Sequence, residues 1–409
     1  MSGWKKLAAA ASGSSVVDNL WAIERYGPQG TIYIYLFAPD LSSKTVYTVN
    51  SSNTLSNCRF TGNSGAKSLA ATKDGSLWFS VKNNAVGNEM HPARCKLDGT
   101  IEMDANNTVR LAINGEQLSV VSTEDYVYYH PRDTNKIIRY PADVSSLGTY
   151  GTSNGTIFTI NNFGGGDRGL TYAADQDIIL AYGKNTSATD YIYAADMSGT
   201  PSFIAQTSSA SGGLISGDYY NATARGGSSN QSLLMANSQY SGDIDKMWTV
   251  NSVQGANYYS NGFTHGEYAY GGLTILSQYD YGVSWSYYDN SATTRLYTFS
   301  ASGSSTNYPT STGYRYSTMI PSGYGTFSGW GPACASPVDG SFYVVGPING
   351  GGGYNSGGKD IAKFVVSSGA LTWSTSTAQN FSSNWQSASG GTNLAVCHST
   401  PDTFRQLGV

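Results

Sequence analysis

Residues 68–81 read SLAATKDGSLWFSV. Leu69 stands in one short run of strand-forming residues, Trp78 and Phe79 stand in another, and Asp74-Gly75 lies between the two. That dipeptide supplies the tolerance of φ > 0 that a narrow hairpin requires, so the stretch reads as strand, tight turn, strand. Weaker copies recur down the chain: QLSVVSTEDYVYYH at 117–130, GLTYAADQDIILAY at 169–182, GLTILSQYDYGVSWSY at 272–287 and ACASPVDGSFYVVG at 333–346. A truncated copy, NLAVCHSTPD, falls at 393–402. The hairpin is the repeating unit.

Outward from it, residues 17–27 contain NLWAIERY, which aligns with SLWFSVKN and so is the second half of a unit without its first half. Two further strand-like runs follow, TIYIYLFA at 31–38 and KTVYTV at 44–49, which makes four strands per unit. First strands are marked by Leu69, Leu118, Leu170, about Tyr220, Leu273, Ala333 and Leu394. Their spacing, roughly 50 to 60 residues, suits the blades of a propeller. The unit at 218–239 is inferred from that spacing, because a long polar stretch stands where the others have a short turn. Third and fourth strands are expected in ARCKLDGTI and TVRLAI, KIIRYPA and TIFTI, DYIYAAD and SFIAQT, KMWTVNS, RLYTFSA, and DIAKFVVS and LTWSTS. The expected fold is therefore all-β: a seven-bladed propeller of four-stranded blades over residues 16–409. Its ring would close by pairing the N-terminal and C-terminal strands, which hides both edges of the shared blade.

Composition agrees with this class. The chain of 409 residues holds 49 Gly and 31 Tyr but only 12% charged residues, a β-rich, turn-rich balance with too many aromatics for a disordered chain. A net charge of −4 offers no basic stripe to nucleic acid, and no run approaches the roughly 18 apolar residues of a membrane-spanning helix. The four cysteines form no CxxC pair. Cys334 and Cys397 stand at equivalent positions of their units, in CASPVD and CHSTPD, and are expected to be buried thiols. Residues 1–15, MSGWKKLAAAASGSS, imitate a secretion signal, but the apolar run is shorter than the roughly 7 to 15 residues of an h-region. An uncleaved leader that docks either on its own propeller or on a neighbouring subunit is expected, with Trp4, Lys5 and Lys6 as its anchoring residues.

Reactive groups were sought where a propeller gathers them, in the segments before first strands and after second strands. The first set contains Asp167, Arg168, Asp218, His265, Glu267, Tyr324, Trp330 and Trp385; the second contains His91, His130, Arg132, Asp133 and Lys359. Arg168, Asp218, His265, Glu267, Tyr324, Trp330 and Trp385 are the expected ligand-binding residues. His91, His130 and His398 have no HxH or HxxxH spacing, are read as solvated, and give no metal site or cofactor. Asp74 is followed directly by Gly75, which departs from the serine-Asp-Gly spacing of a sialidase-type turn. Tyr128, Tyr129, Tyr219, Tyr220, Tyr258, Tyr259, Tyr281, Tyr287, Tyr288 and Tyr324 exceed what half-buried strands need. An aromatic, Asn- and Ser-rich glycan-binding surface is one reading of them, and packing between units is the other.

With its four-stranded period, the DGSLWF turn resembles the β-propellers of the two-component-regulator and lyase-like repeat families, over about residues 16–402. That resemblance implies a fold and no particular function. The leader, a Trp-Lys-Lys followed by an Ala/Gly/Ser run, resembles the starts of virion structural proteins of tailed marine bacteriophages. It implies a non-enzymatic virion protein on the surface of a tail, fibre or capsid, made in the host cytoplasm, oligomeric within the particle, and bound to other virion proteins and to a host glycan or receptor. Two other readings stand beside it: an architectural decoration, collar or tail subunit, and a polysaccharide lyase or hydrolase that uses His265, Glu267, Arg168 and Asp218.

Overall fold

The first hairpin forms where Asp74-Gly75 predicts it, and the same register logic runs through the other strands. The computed structural model describes the thirty strands named below, the turns at 38–43, 72–76, 96–100, 142–147, 339–341 and 368–369, and residues 19, 69, 123, 125, 319, 321, 336 and 377. In chain order the strands are β1 Leu20–Glu24, β2 Thr31–Phe37 and β3 Lys44–Asn50; then β4 Cys58–Phe60, β5 Ala70–Ala71, β6 Leu77–Asn83, β7 Glu89–Cys95, β8 Ile101–Met103 and β9 Leu111–Ala112. Next come β10 Leu118–Ser122, β11 Tyr126–Pro131, β12 Lys136–Pro141 and β13 Thr156–Thr159; β14 Gly169–Ala173, β15 Ile178–Lys184, β16 Asp190–Asp196 and β17 Ser202–Ser208; and β18 Ala222–Gly226, β19 Gln231–Ala236, β20 Ile244–Asn251 and β21 Gly255–Thr264. The last are β22 Leu273–Leu276, β23 Tyr281–Ser284, β24 Thr293–Thr298 and β25 Thr310–Arg315; β26 Ala333–Ala335, β27 Phe342–Gly346, β28 Asp360–Ser367 and β29 Ala370–Ser376; and β30 Leu394–His398.

These strands make seven sheets, all paired antiparallel. Five are uninterrupted meanders: β10 to β13, β14 to β17, β18 to β21, β22 to β25 and β26 to β29. The sheet of the first three strands takes its fourth from the far end of the chain, because β1 pairs with β30, Leu20 opposite His398 and Glu24 opposite Leu394. In the remaining sheet, β6 and β7 are flanked by strands in two pieces. β4 and β5 lie on the same edge of β6, Phe60 opposite Val81 and Ala70 opposite Trp78, so the first strand is interrupted and then resumed. β8 and β9 both pair with β7.

Several expectations shift. The first strand sought near Tyr220 is β18, starting at Ala222, where alternating small residues pair with β19. β4, β21 and β25 lie in polar or Gly-containing sequence that gave no strand signal.

Both faces of the central strands are buried. Leu77, Trp78, Phe79, Ser80 and Val81 are consecutive and all inaccessible to solvent. Alternate side chains enter different cores: Leu77, Phe79 and Val81 join Trp21, Ile23 and Ile34 of the preceding sheet, while Trp78 joins Val127, Tyr129, Ile138 and Tyr140 of the following one. A third core joins Leu20, Ala22, Tyr35, Phe37 and Leu41 to Tyr343 and Ile361. The sheets containing β27, β1, β6 and β11 thus stack in that order.

Four of the described turns obey one rule. Gly75, Gly99, Gly340 and Leu41 all have positive φ, at 82°, 86°, 74° and 60°, and each follows an aspartate and precedes a serine or threonine. Glycine occupies this region without strain, and a side chain there costs roughly 1–2 kcal/mol. Leu41 tolerates it because its side chain is buried in the third core, which offsets the strain.

Two glycine substitutions separate strain from crowding. Gly369→Ala meets open space at a φ of +77°, so its expected loss is the backbone strain alone, about 1 kcal/mol. Gly99→Ala would also place its Cβ 2.8 Å from the Tyr47 ring and should lose clearly more, about 2–4 kcal/mol. Urea unfolding of the two variants checks this, and equal losses would contradict the packing of Gly99 on Tyr47.

Candidate functional site

Aspartates recur at the described turns, and four of them, Asp40, Asp74, Asp98 and Asp339, are folded back on their own turns. Asp74 accepts from Thr72 Oγ1 at 2.6 Å, from the Ser76 N–H at 3.0 Å and from Ser76 Oγ at 2.9 Å. Asp339 accepts from the Ser341 N–H at 3.0 Å and Ser341 Oγ at 2.5 Å, and Asp40 accepts from the same two groups of Ser42. The Thr100 N–H donates to Asp98 at 2.8 Å. These bonds favour the charged form: the Ser42 hydroxyl and N–H hold Asp40 below the usual carboxylate range, and the Thr100 N–H does the same for Asp98. Asp74 therefore serves a turn, in keeping with its departure from the sialidase-type spacing.

Two buried cations bridge neighbouring sheets. Arg94 of β7 is 1% exposed, lies 5.1 Å over the Trp78 ring, and donates to the Val144 carbonyl at 2.7 Å and the Ser145 carbonyl at 3.3 Å in the next sheet. Glu102 of β8 closes the arrangement, accepting from Arg94 at 2.5 Å, from Lys96 at 2.7 Å and from the Leu147 N–H at 3.3 Å. Burial raises the Glu102 pKa, but the bonds from Lys96 and Arg94 outweigh it and hold the carboxyl below its ordinary value. Lys363 of β28 repeats the device. It lies 5.5 Å from the Tyr343 ring centroid, pairs with Asp339 at 2.7 Å, and donates to the Pro39 carbonyl of the adjoining sheet at 3.1 Å. Neutral donors act alike: Trp21 Nε1 bonds the Gly75 carbonyl at 3.0 Å, Tyr47 the Leu97 carbonyl at 2.7 Å, Tyr343 the Pro39 carbonyl at 2.6 Å, and Tyr129 the Phe79 and Ala93 carbonyls.

Sequence reading missed these bridges. The signal was Lys363 inside the apolar run DIAKFVV, since a charge in the middle of a two-face-buried strand needs a buried partner.

Other expectations are corrected. His91 and His130 are not in solvated loops: they belong to β7 and β11 and are both buried, with His130 Nδ1 3.1 Å from the Lys136 carbonyl. Tyr128 and Tyr129 are not exposed either, because the sheet that carries them is covered on both faces; for these two, packing between sheets is the outcome. Cys334 is half-buried and in no disulfide, and burial, with Asp98 nearby, pushes the buried Cys95 thiol up to about 12. Arg168, Asp218, His265, Glu267, Tyr324, Trp330, Trp385, Trp4, Lys5 and Lys6 lie outside the described residues, as do Asp167, Arg132, Asp133 and Lys359. Among the described residues, no group of three or more His, Cys, Asp or Glu is placed to hold a metal ion.

No protein-family model and no curated protein matches the chain. Solved structures do. A protein from Lactobacillus plantarum is similar over 93% of this chain and 99% of its own, at 12% identity and a TM-score of 0.54. AztD from Citrobacter koseri matches over 93% of this chain and 98% of its own at 8% identity and a TM-score of 0.41. A prolyl endopeptidase matches with 91% of this chain and half of its own, at 12% identity and a TM-score of 0.41. At 12% identity the likeness to the Lactobacillus plantarum protein is one of fold, and the fold of this chain is an all-β, propeller-like arrangement of four-stranded antiparallel sheets.

The bridges set two expected outcomes. Arg94→Leu leaves Glu102 with Lys96 as its cation and takes the Arg94 donor from the Val144 carbonyl, and should destabilise by about 1–3 kcal/mol, read from the urea midpoint. The second concerns pH. Burial raises the Asp339 pKa, but Lys363, Ser341 and Ser336 more than reverse this and hold it at about 2, below the unfolded value. The stabilisation is therefore present above about pH 4 and lost as pH falls through the folded value near 2. Because the Asp339 side chain is 40% exposed, solvent screening reduces its worth to on the order of 1 kcal/mol. Asp339→Asn should flatten that part of an acid-unfolding profile, and an unchanged profile would show that the Lys363 bridge contributes nothing.

Proposed function

We propose that the chain is a single seven-bladed β-propeller closed by its own two ends, and that it works as a non-enzymatic binding protein of a tailed-phage virion. For the ring, support comes from the order of the sheets. The first strands β30, β5, β10, β14, β18, β22 and β26 are neighbours in that succession, and β26 is again next to β30. The β1–β30 pairing lies where such a ring would close.

For the function, the observation that carries the reading is the use of the buried charges. Arg94, Glu102, Lys363 and Asp339 are engaged with carbonyls and side chains of their own and adjoining sheets, which is the role of a scaffold. A rigid scaffold with recognition delegated to connecting segments suits attachment to a host glycan or receptor. The expected ligand residues Arg168, Asp218, His265, Glu267, Tyr324, Trp330 and Trp385 all fall in segments that join one sheet to the next. The virion assignment rests on the leader's resemblance, with Trp4, Lys5 and Lys6 as the gripping residues.

The test compares the full chain with one beginning at Val16, each incubated with particles lacking the protein and with host-envelope glycans. The expected result is loss of particle docking by the shortened chain alone, with glycan binding equal in both. Docking without glycan binding by either form would make the role architectural, and turnover of the glycan would make the protein an enzyme.

A further inference from the structure

The dipeptide Asp-Gly occurs three times in the chain, at 74–75, 98–99 and 339–340, and each copy lies in a described turn with its glycine at positive φ. This pair has a reaction of its own. With no Cβ on the glycine to obstruct it, the glycine nitrogen can attack the side-chain carboxyl carbon of the aspartate before it. The N–Cγ bond forms, a C–O bond of the carboxyl breaks, and water leaves with the amide proton, which closes a succinimide ring. Water then adds back. Where it opens the ring at the backbone carbonyl, the chain runs on through Cγ as isoaspartate, with one more methylene in the main chain and nothing oxidised or reduced. The reaction needs the carboxyl released from its donors and the glycine nitrogen free to turn, so the packing of each turn sets its rate.

The three turns share one restraint and differ in two others. In all of them the glycine N–H donates back into the turn, to the carbonyl of Thr72 at 2.8 Å, of Lys96 at 2.9 Å and of Ser336 at 3.1 Å. Their carboxyls are held unequally. Asp74 is gripped by the hydroxyls of Thr72 and Ser76 and by the Ser76 N–H, and Asp339 by the hydroxyl and N–H of Ser341 and by Lys363 at 2.7 Å. The donors to Asp98 both come from Thr100, through its N–H at 2.8 Å and its hydroxyl. Burial separates the turns in the same direction. Gly75, Ser76, Gly340 and Ser341 are buried, and Trp21 also holds the Gly75 carbonyl. Gly99 packs on the Tyr47 ring, but the residues on either side of it, Asp98 and Thr100, are both exposed.

We infer that Asp98-Gly99 is a spontaneous modification site of the folded protein, forming isoaspartate ahead of the other two turns, and that this modification loosens the bridge from β7 to the next sheet. The inference stands apart from the function proposed above. The turn at 96–100 joins β7 to β8 in the register that puts Glu102 opposite Arg94. An added main-chain methylene there shifts β8 against β7. Glu102 is then drawn from its place on Arg94, Lys96 and the Leu147 N–H, so a covalent change at an exposed turn is felt at a largely buried ion pair.

The test ages the full, unsubstituted chain for several weeks at mildly acidic pH, folded in one sample and unfolded in guanidinium chloride in another. Peptide mapping with electron-transfer fragmentation tells isoaspartate from aspartate at each of the three sites and gives three rates per sample. In the folded protein isoaspartate should form at 98 at least fivefold faster than at 74 or 339. In the unfolded chain the three rates should fall within twofold of one another, because the reacting dipeptide is the same. Equal rates in the folded protein, a faster rate at 74 or 339, or a fivefold lead of 98 that persists in the unfolded chain overturns the inference. The form carrying isoaspartate at 98, separated by hydrophobic-interaction chromatography, should then unfold at a lower urea midpoint than the unmodified protein. An unchanged midpoint overturns the loosening of the bridge.

Discussion

A single backbone constraint, positive φ at the residue after a turn aspartate, sets the end of one hairpin after another in the described sheets. At Gly75 it lets Thr72 and Ser76 close the turn through their backbone groups, with the Thr72 N–H donating to the Ser76 carbonyl at 3.0 Å and the Gly75 N–H to the Thr72 carbonyl at 2.8 Å. The same twist leaves the Gly75 carbonyl to accept the Trp21 indole of the neighbouring sheet. A local conformational rule thereby becomes a contact between sheets. The rule is strict enough that, where glycine is missing, Leu41 adopts the same region and is held there by burial against Tyr35, Phe37 and Tyr343.

Packing sheets on both faces creates a second requirement. A strand covered on both sides has no solvent face on which to place its polar residues, so a buried polar group there gains most from a partner in its own sheet or a neighbouring one. Aromatic hydroxyls, one indole and two cations meet that demand by reaching carbonyls across the sheet boundaries. Stacking on Trp78 and Tyr343 holds Arg94 and Lys363 in position as they reach across. With so few charges in the chain, those that are buried carry information about which sheets are neighbours.

The repeating hairpin was legible because Asp-Gly between apolar runs has one dominant local solution, and the strand runs around Leu77, Tyr126 and Phe342 follow from it. What misled was the assumption of half-buried strands. Val127, Tyr128, Tyr129 and His130 are consecutive and all buried, a pattern that arises only when both faces are covered, so at Tyr128 and Tyr129 packing between units is the outcome of the two readings. β4 and β25 escaped because Cys-Arg-Phe and Thr-Ser-Thr-Gly-Tyr-Arg carry no clear alternation; their strand state comes from the ladder of the adjoining strand. The candidate ligand residues were selected by their place in connections, a property of topology that says nothing about mutual geometry.

The same physics explains why fold and function separate along this sequence. Residues that fix the turns and bridges cannot vary freely: a change at Gly99 meets Tyr47, and a change at Arg94 removes a partner from both Glu102 and the Val144 carbonyl. In the sequence, Arg168, His265, Trp330 and Trp385 fall between the last strand of one sheet and the first of the next. The register of the described sheets is set by their own ladders and turns, which are paired within and between the sheets themselves. Stability is thus held in the turns and bridges, which is the physical reason to look for the proposed binding in the sequence between the sheets.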